Sequence, residues 1–223
     1  MGSEIPPSLR EIAHIQGGIV TRKQAIHAGL SSGAIISKLK YRRWQQIYRG
    51  VYATFSGPLS RTARLWAAVL YAGNGAELSH ETAAELHGLA TRRCPLIHVS
   101  VPASRRVHGA VGLVIHVSAR AGTTRFQRGE IPHTPVDDTI VDLVDVASSP
   151  DDVRELVNRA ITGRITTDRP LRAAAGKRKR MRWRREFGQI IAAASPGTRL
   201  SGTTPPAAVL PAGGSPAGLP RYP

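Results

Sequence analysis

The stretch LSSGAIISKLKYRRWQQIYRGVYATF, Leu30 to Phe55, changes its hydrophobic period part-way along, and that change decides the fold. A helix is predicted from Ser31 or Ser32. At about 100° per residue, Ile35, Ile36 and Leu39 fall on one side and Ala34, Ser37, Lys38 and Tyr41 on the other. The first side is apolar. The second is small near the helix start and basic or aromatic further on, which suits a helix whose front end approaches DNA base edges. From Trp44 to Tyr48 and from Val51 to Phe55 the residues are β-branched and aromatic, and Arg49-Gly50 between them supplies a tight hairpin turn.

Upstream, Ser8-Leu-Arg-Glu11 and Thr21-Arg-Lys-Gln24 both fit a capping box, in which a hydroxyl accepts from a free backbone N–H and a Glu or Gln reaches back. Each marks a helix start. Leu9, Ile12, Ala13 and Ile15 form the apolar stripe of the first helix, and Ala25, Ile26 and Ala28 that of the second, which Gly29 ends. Helix, helix, turn, helix, hairpin is the order of a winged helix-turn-helix. The third helix would enter the major groove, and the Arg-tipped hairpin would follow phosphates or reach the minor groove. Lys38, Lys40, Arg42, Arg43 and Arg49 are the expected phosphate contacts, joined by Arg22 and Lys23 at the start of the second helix; Ser37 and Tyr41 are the expected base-edge contacts.

The charge agrees with such a partner. Among 223 residues, 31 Lys and Arg against 15 Asp and Glu give a formal +16, so a polyanion, double-stranded DNA first, is the natural ligand. No apolar run reaches the roughly 18 residues of a membrane span, and MGSEIPPSLRE lacks the layout of a signal peptide, so no membrane and a cytoplasmic location are expected. The lone Cys94 excludes an internal disulfide and a multi-cysteine zinc cage.

After Ser56-Gly-Pro58 the pattern becomes that of a small α/β domain. RTARLWAAVLY (61–71) is a helix with Leu65, Trp66, Val69 and Leu70 inward, stopped by Gly73-Asn-Gly75. Ser79 caps a shorter helix, strands are expected at Leu96–Val101 and Gly112–Val117, and Thr134-Pro-Val-Asp137 and Ser149-Pro-Asp-Asp152 each restart helix. The sheet is expected to be antiparallel or mixed. Motifs for catalysis fail on inspection. Gly29-Leu-Ser31-Ser-Gly33 matches a nucleophile elbow, but a helix enters it where a strand must. His80-Glu81 begins a zincin-like helix, yet Ala84 stands where the second histidine is required. Asp138, Asp142 and Asp145 share a helix without the lysine-bearing strand of a nuclease, and His98, His108 and His116 show no ligand spacing. No catalytic residue, metal or cofactor is therefore expected.

GGIVTRKQAIHAGLSSGAI, RWQQIYRGVYAT, LWAAVLYAGNGAELSHETAAELHGL and PLIHVSVP together resemble the AbiEi-type antitoxin and regulator family of type IV toxin–antitoxin systems, in its actinobacterial form, over about residues 8–190. The resemblance implies a winged-helix protein that binds inverted repeats as a possible homodimer and represses its own operon, with a nucleotidyltransferase-like toxin as cognate partner. Similar proteins continue into a Vsr-like endonuclease domain that is missing here. AAGKRKRMRWRREFGQIIAAA, from Ala174, reads instead as one basic helix, either a second phosphate-binding element or a solvated one, with Trp183 and Phe187 able to dock. From Ser195 the Pro, Gly, Ala and Ser composition predicts a disordered tail, which we take as a truncation or frameshift remnant of that domain.

The expected fold class is thus α+β: a winged-helix DNA-binding domain (1–57), an α/β antitoxin-like domain (58–147), a basic helical segment (148–194) and a tail (195–223). The expected function is a non-enzymatic DNA-binding repressor. Two alternatives stand beside it: an inactive, truncated relative of the endonuclease-bearing proteins, and a toxin-binding module without specific DNA affinity.

Overall fold

In the computed structural model, which describes residues 5–90 and 92–194, the first elements are interleaved helices and strands. They are α1 (Pro7–Ile15), β1 (Ile19–Thr21), α2 (Arg22–His27), α3 (Ser32–Lys40), β2 (Gln45–Tyr48) and β3 (Val51–Ala53). The strands form an antiparallel sheet in the order β1-β3-β2, with Val20 and Gln46 both opposite Tyr52. Gly50 has φ +76 at the hairpin turn, a left-handed conformation that glycine adopts without penalty. Gly18 has φ +84, and a Cβ there would lie 2.5 Å from the Phe55 ring, so only glycine lets the chain pass beneath Phe55 into β1.

Four expectations for these first elements change. Strand β1 has no counterpart among the expected elements, because three residues are too few to show a period. The Ser8–Glu11 capping box does not form: the helix starts two residues earlier, at Pro7, and Pro6 at the cap has no side-chain acceptor. Ile26, expected in the stripe of α2, is 46% exposed. On α3, Ile36 and Lys38 exchange faces: Ile36 is 60% exposed and Lys38 is buried at 8%. The core direction is set by Ile35, and Lys38 lies three residues on, so its stem runs along the same side. By contrast the Thr21–Gln24 capping box is present, and Ser31 caps α3 by accepting from the Ala34 N–H.

The remaining elements are α4 (Arg61–Ala72), β4 (Glu77–Leu78), α5 (His80–Leu86), β5 (Ile97–Val101), β6 (Leu113–Val117), α6 (Val136–Val146), α7 (Pro150–Thr162), α8 (Asp168–Gly176) and α9 (Arg184–Ala194). The second sheet is mixed, in the order β4-β5-β6, antiparallel on one side of β5 and parallel on the other. The whole is a mixed helix-and-sheet protein with two small sheets, as α+β implies. Ser149 and Asp152 cap α7 reciprocally, whereas Ser79 leads into α5 without a side-chain cap bond. The single basic helix expected from Ala174 is divided. Helix α8 stops at Gly176 and α9 begins at Arg184, with Met181 buried between them and Trp183 Nε1 donating to the Ala147 carbonyl at 3.1 Å. The tail expectation lies outside the described residues.

Helix α4 joins the two sheets. Ala63, Trp66 and Ala67 pack with Ile19, Val51 and Ala53 of the first sheet. Leu65, Ala68, Val69 and Ala72, on its opposite side, pack with Ile97, Val99 and Val101 of the second. A separate core gathers Ile140, Val144, Val157, Leu171, Phe187 and Ile191 from the last four helices. Arg61 and Glu85, 2.7 Å apart and each 17% exposed, tie α4 to α5.

Candidate nucleic-acid interface

The N-terminal segment 5–57 contains one carboxylate side chain, Glu11, against eight Lys and Arg. That carboxylate is itself paired with Arg128 at 2.5 Å. Helix α3 and the turn after it therefore meet solvent with cations that no nearby carboxylate of the segment neutralises. The exposed positions of the helix are Ser32, Gly33, Ile36, Ser37 and Lys40, followed directly by exposed Tyr41, Arg42 and Arg43. Tyr41 is 66% exposed, and Lys40 Nζ lies 6.0 Å from its ring centroid. Arg42 has φ +53, so the chain turns sharply off the helix there before Trp44 enters the core at 3% exposure.

Of the residues expected to contact DNA, Lys23, Ser37, Lys40, Tyr41, Arg42, Arg43 and Arg49 are exposed. Arg22 and Lys38 are placed differently. Arg22 is half-buried and donates from Nη2 to Ser32 Oγ at 2.7 Å, while its backbone N–H donates to the Gly50 carbonyl at 2.8 Å. One residue thus fixes the start of α2, the start of α3 and the hairpin turn relative to each other. Lys38 Nζ lies 5.8 Å from the Trp44 ring centroid, and burial, with the nearby Arg43 charge, holds its pKa below the ordinary lysine value. A cleft of about 1030 Å³ runs behind the hairpin turn, with Arg22, Lys23, Arg49 and Arg105 on its walls.

The second sheet has an equally asymmetric make-up. Ile97, Val99 and Val101 point to the α4 side, so His98 and Ser100 point to the other, as does His116 opposite Ser100. Ser100 is buried at 2% and His80, at the start of α5, at 8%. Burial pushes the His80 pKa down to about 3, with His116 adding to the shift; burial and then His98 lower that of His116 as well. Glu77 on β4 is 3% exposed and is pushed up to about 7 by burial, with Asp138 and Asp142 contributing. The helix aspartates are engaged: Asp142 pairs with Arg178 and Arg120, Asp138 with Arg120 at 3.5 Å, and Asp145 accepts from the Arg182 N–H at 3.1 Å.

No family model matches the chain, and no curated protein matches it. Among solved structures, the crystal structure of the RV2827C protein from Mycobacterium tuberculosis superposes with a TM-score of 0.52 at 12% identity, over 86% of this chain and 81% of that one. At that identity the likeness is one of fold. Two groups escape sequence reasoning. Ile36 reads as core because an apolar residue next to Ile35 extends the stripe, and the serine at 37 is the signal that the stripe has already ended. His80, His98 and His116 are far apart in sequence: the alternation of β5 and β6 puts His98 and His116 on one side of the second sheet, and the packing of α5 there brings His80 onto His116.

Proposed function

We propose that this chain is a DNA-binding transcriptional regulator in which α1-β1-α2-α3-β2-β3 is a winged helix-turn-helix. The observation that carries this reading is that Lys40, Arg42, Arg43 and the hairpin's Arg49 are all exposed in a segment, 5–57, with one, already paired, carboxylate. Helix α3 is the major-groove element. Ser37 and Tyr41 hydrogen-bond to base edges, Ile36 packs on a thymine methyl, and Lys23, Lys40, Arg42, Arg43 and Arg49 hold phosphates. Arg22 positions rather than binds, and Lys38 supports the end of α3 from beneath. The resemblance to AbiEi-type antitoxins supports an autorepressor acting on inverted repeats, with a nucleotidyltransferase-like toxin as the protein partner.

The test is fluorescence anisotropy of the purified chain with its own promoter and with a scrambled duplex across a salt series. Promoter binding that is tighter by about 10³-fold or more, and that persists at physiological salt, is expected of a specific reader. Equal binding to both duplexes that fades steeply with salt would instead leave only bulk charge attraction.

A further inference from the structure

We infer that His80, His98, His116 and Glu81 form a binding site for one divalent transition-metal ion of the zinc class. The site is independent of the DNA-binding surface and lies on the polar side of the second sheet.

The three histidines offer ring nitrogens that all lie within 4.8 Å of one another. His98 Nδ1 is 3.0 Å from His116 Nε2 and 3.1 Å from Glu81 Oε2. Donors held about 2.0–2.1 Å from a tetrahedral zinc sit roughly 3.3 Å from one another, so these separations are near those of a coordination shell. Proton counting favours a cation over hydrogen bonds. His98 Nδ1 carries either one proton or one lone pair. A proton there serves His116 or Glu81 but not both; a lone pair can accept from His116 and then faces the carboxylate. Glu81 Oε2 indeed has no hydrogen-bond partner although it is shielded from solvent. A cation accepts all of these lone pairs at once.

The surroundings are built to hold the ligands. His80 has φ +51, a conformation that non-glycine residues rarely take and that recurs at ligand clamps. Ser79 Oγ lies 3.1 Å from His80 Nδ1, which leaves Nε2 for the ion, the usual outer contact of a metal-bound histidine. The Thr82 hydroxyl accepts from the His98 backbone N–H at 2.9 Å, fixing β5 against α5. The His80 ring stacks on His116 with centroids 3.7 Å apart, so coordination turns it out of that stack. The Glu81 side chain is 41% exposed, so the cluster meets solvent on that side. Cys94 Sγ is 4.0 Å from His98 Nε2, the nitrogen on the far side of the ring, and stays outside the shell. Three imidazoles, with the Glu81 carboxylate beside His98 as the fourth donor it would bring in, suit zinc or a similar ion, and such a set clamps α5 to β5 and β6.

The experiment uses the untagged, full chain after chelator treatment. Zn(II) is titrated by calorimetry and Co(II) by visible absorption. One equivalent of each is expected, with the intense ligand-field bands of four-coordinate cobalt and without thiolate charge transfer. His98→Gln with His116→Gln should abolish stoichiometric uptake while circular dichroism stays unchanged. Glu81→Gln, at a half-exposed position, covers the case in which that pair does not fold; it should weaken binding by about tenfold or more. Absence of uptake by the wild-type chain, weak uptake of several equivalents, or full uptake by a folded variant would each overturn the assignment.

Discussion

Ile36 and Lys38 sit two residues apart on α3 and should answer mutation in opposite ways. Ile36→Ser removes an exposed apolar side chain, so stability should change by no more than about 0.5 kcal/mol, while promoter affinity falls by about 1 kcal/mol, or roughly fivefold. Lys38→Ala removes a buried stem and a contact with Trp44, so denaturant unfolding should show a loss of about 1 kcal/mol. Lys40→Ala and Arg49→Ala should leave stability alone and each reduce the slope of log K against log salt by about 0.9. An unchanged slope in both would remove α3 and the hairpin from the interface. Glu77 gives a pH signature. Its pKa is raised from 4.5 to about 7 on folding, so the folded chain holds a proton that the unfolded chain has released between those values. Its contribution to stability is complete below pH 4.5 and declines as pH rises towards 7, by on the order of 3 kcal/mol. His80, lowered from 6.5 to about 3, acts in the other sense in the metal-free protein, with stability lost as pH falls below 6.5. Urea unfolding of Glu77→Gln should therefore show greater stability than wild type at pH 7 and little difference at pH 4.

Elements are legible in the sequence where the signal is local. The Thr21–Gln24 and Ser149–Asp152 boxes form because each side chain satisfies a neighbouring N–H without help from the rest of the fold. Ser149→Ala should lower thermal stability by about 1 kcal/mol, read from the shift in melting temperature. The hairpin at Arg49-Gly50 and the helix at 61–72 are visible for the same reason. Elements that depend on distant partners are not. Strand β1 exists only because β3 pairs with it, and the parallel pairing of β5 with β6 is fixed across a connection of eleven residues. The basic run after Ala174 gives an unbroken helical impression because Lys and Arg favour helices. It divides because Met181 is buried in the core of the last four helices and Trp183 bonds the carbonyl at the end of α6 instead of continuing a stripe. The exposed cations of α3 and the hairpin can be read in sequence order; the histidine cluster needs the sheet register and the packing of α5 against it.

At the scale of the whole molecule, the cores are connected through α4. Trp66→Ala would open a cavity beneath the first sheet, from the helix that also covers the second, and should cost about 3–5 kcal/mol in chemical denaturation. The loss should appear in a single transition by both tryptophan fluorescence and far-ultraviolet dichroism. Because Ile19, Val51 and Ala53 find their apolar neighbours on α4, the first sheet is bound to the later elements by more than the peptide link. A protease nick within the exposed Ser56-Gly57-Pro58 connection would then leave two polypeptides that co-elute as one particle.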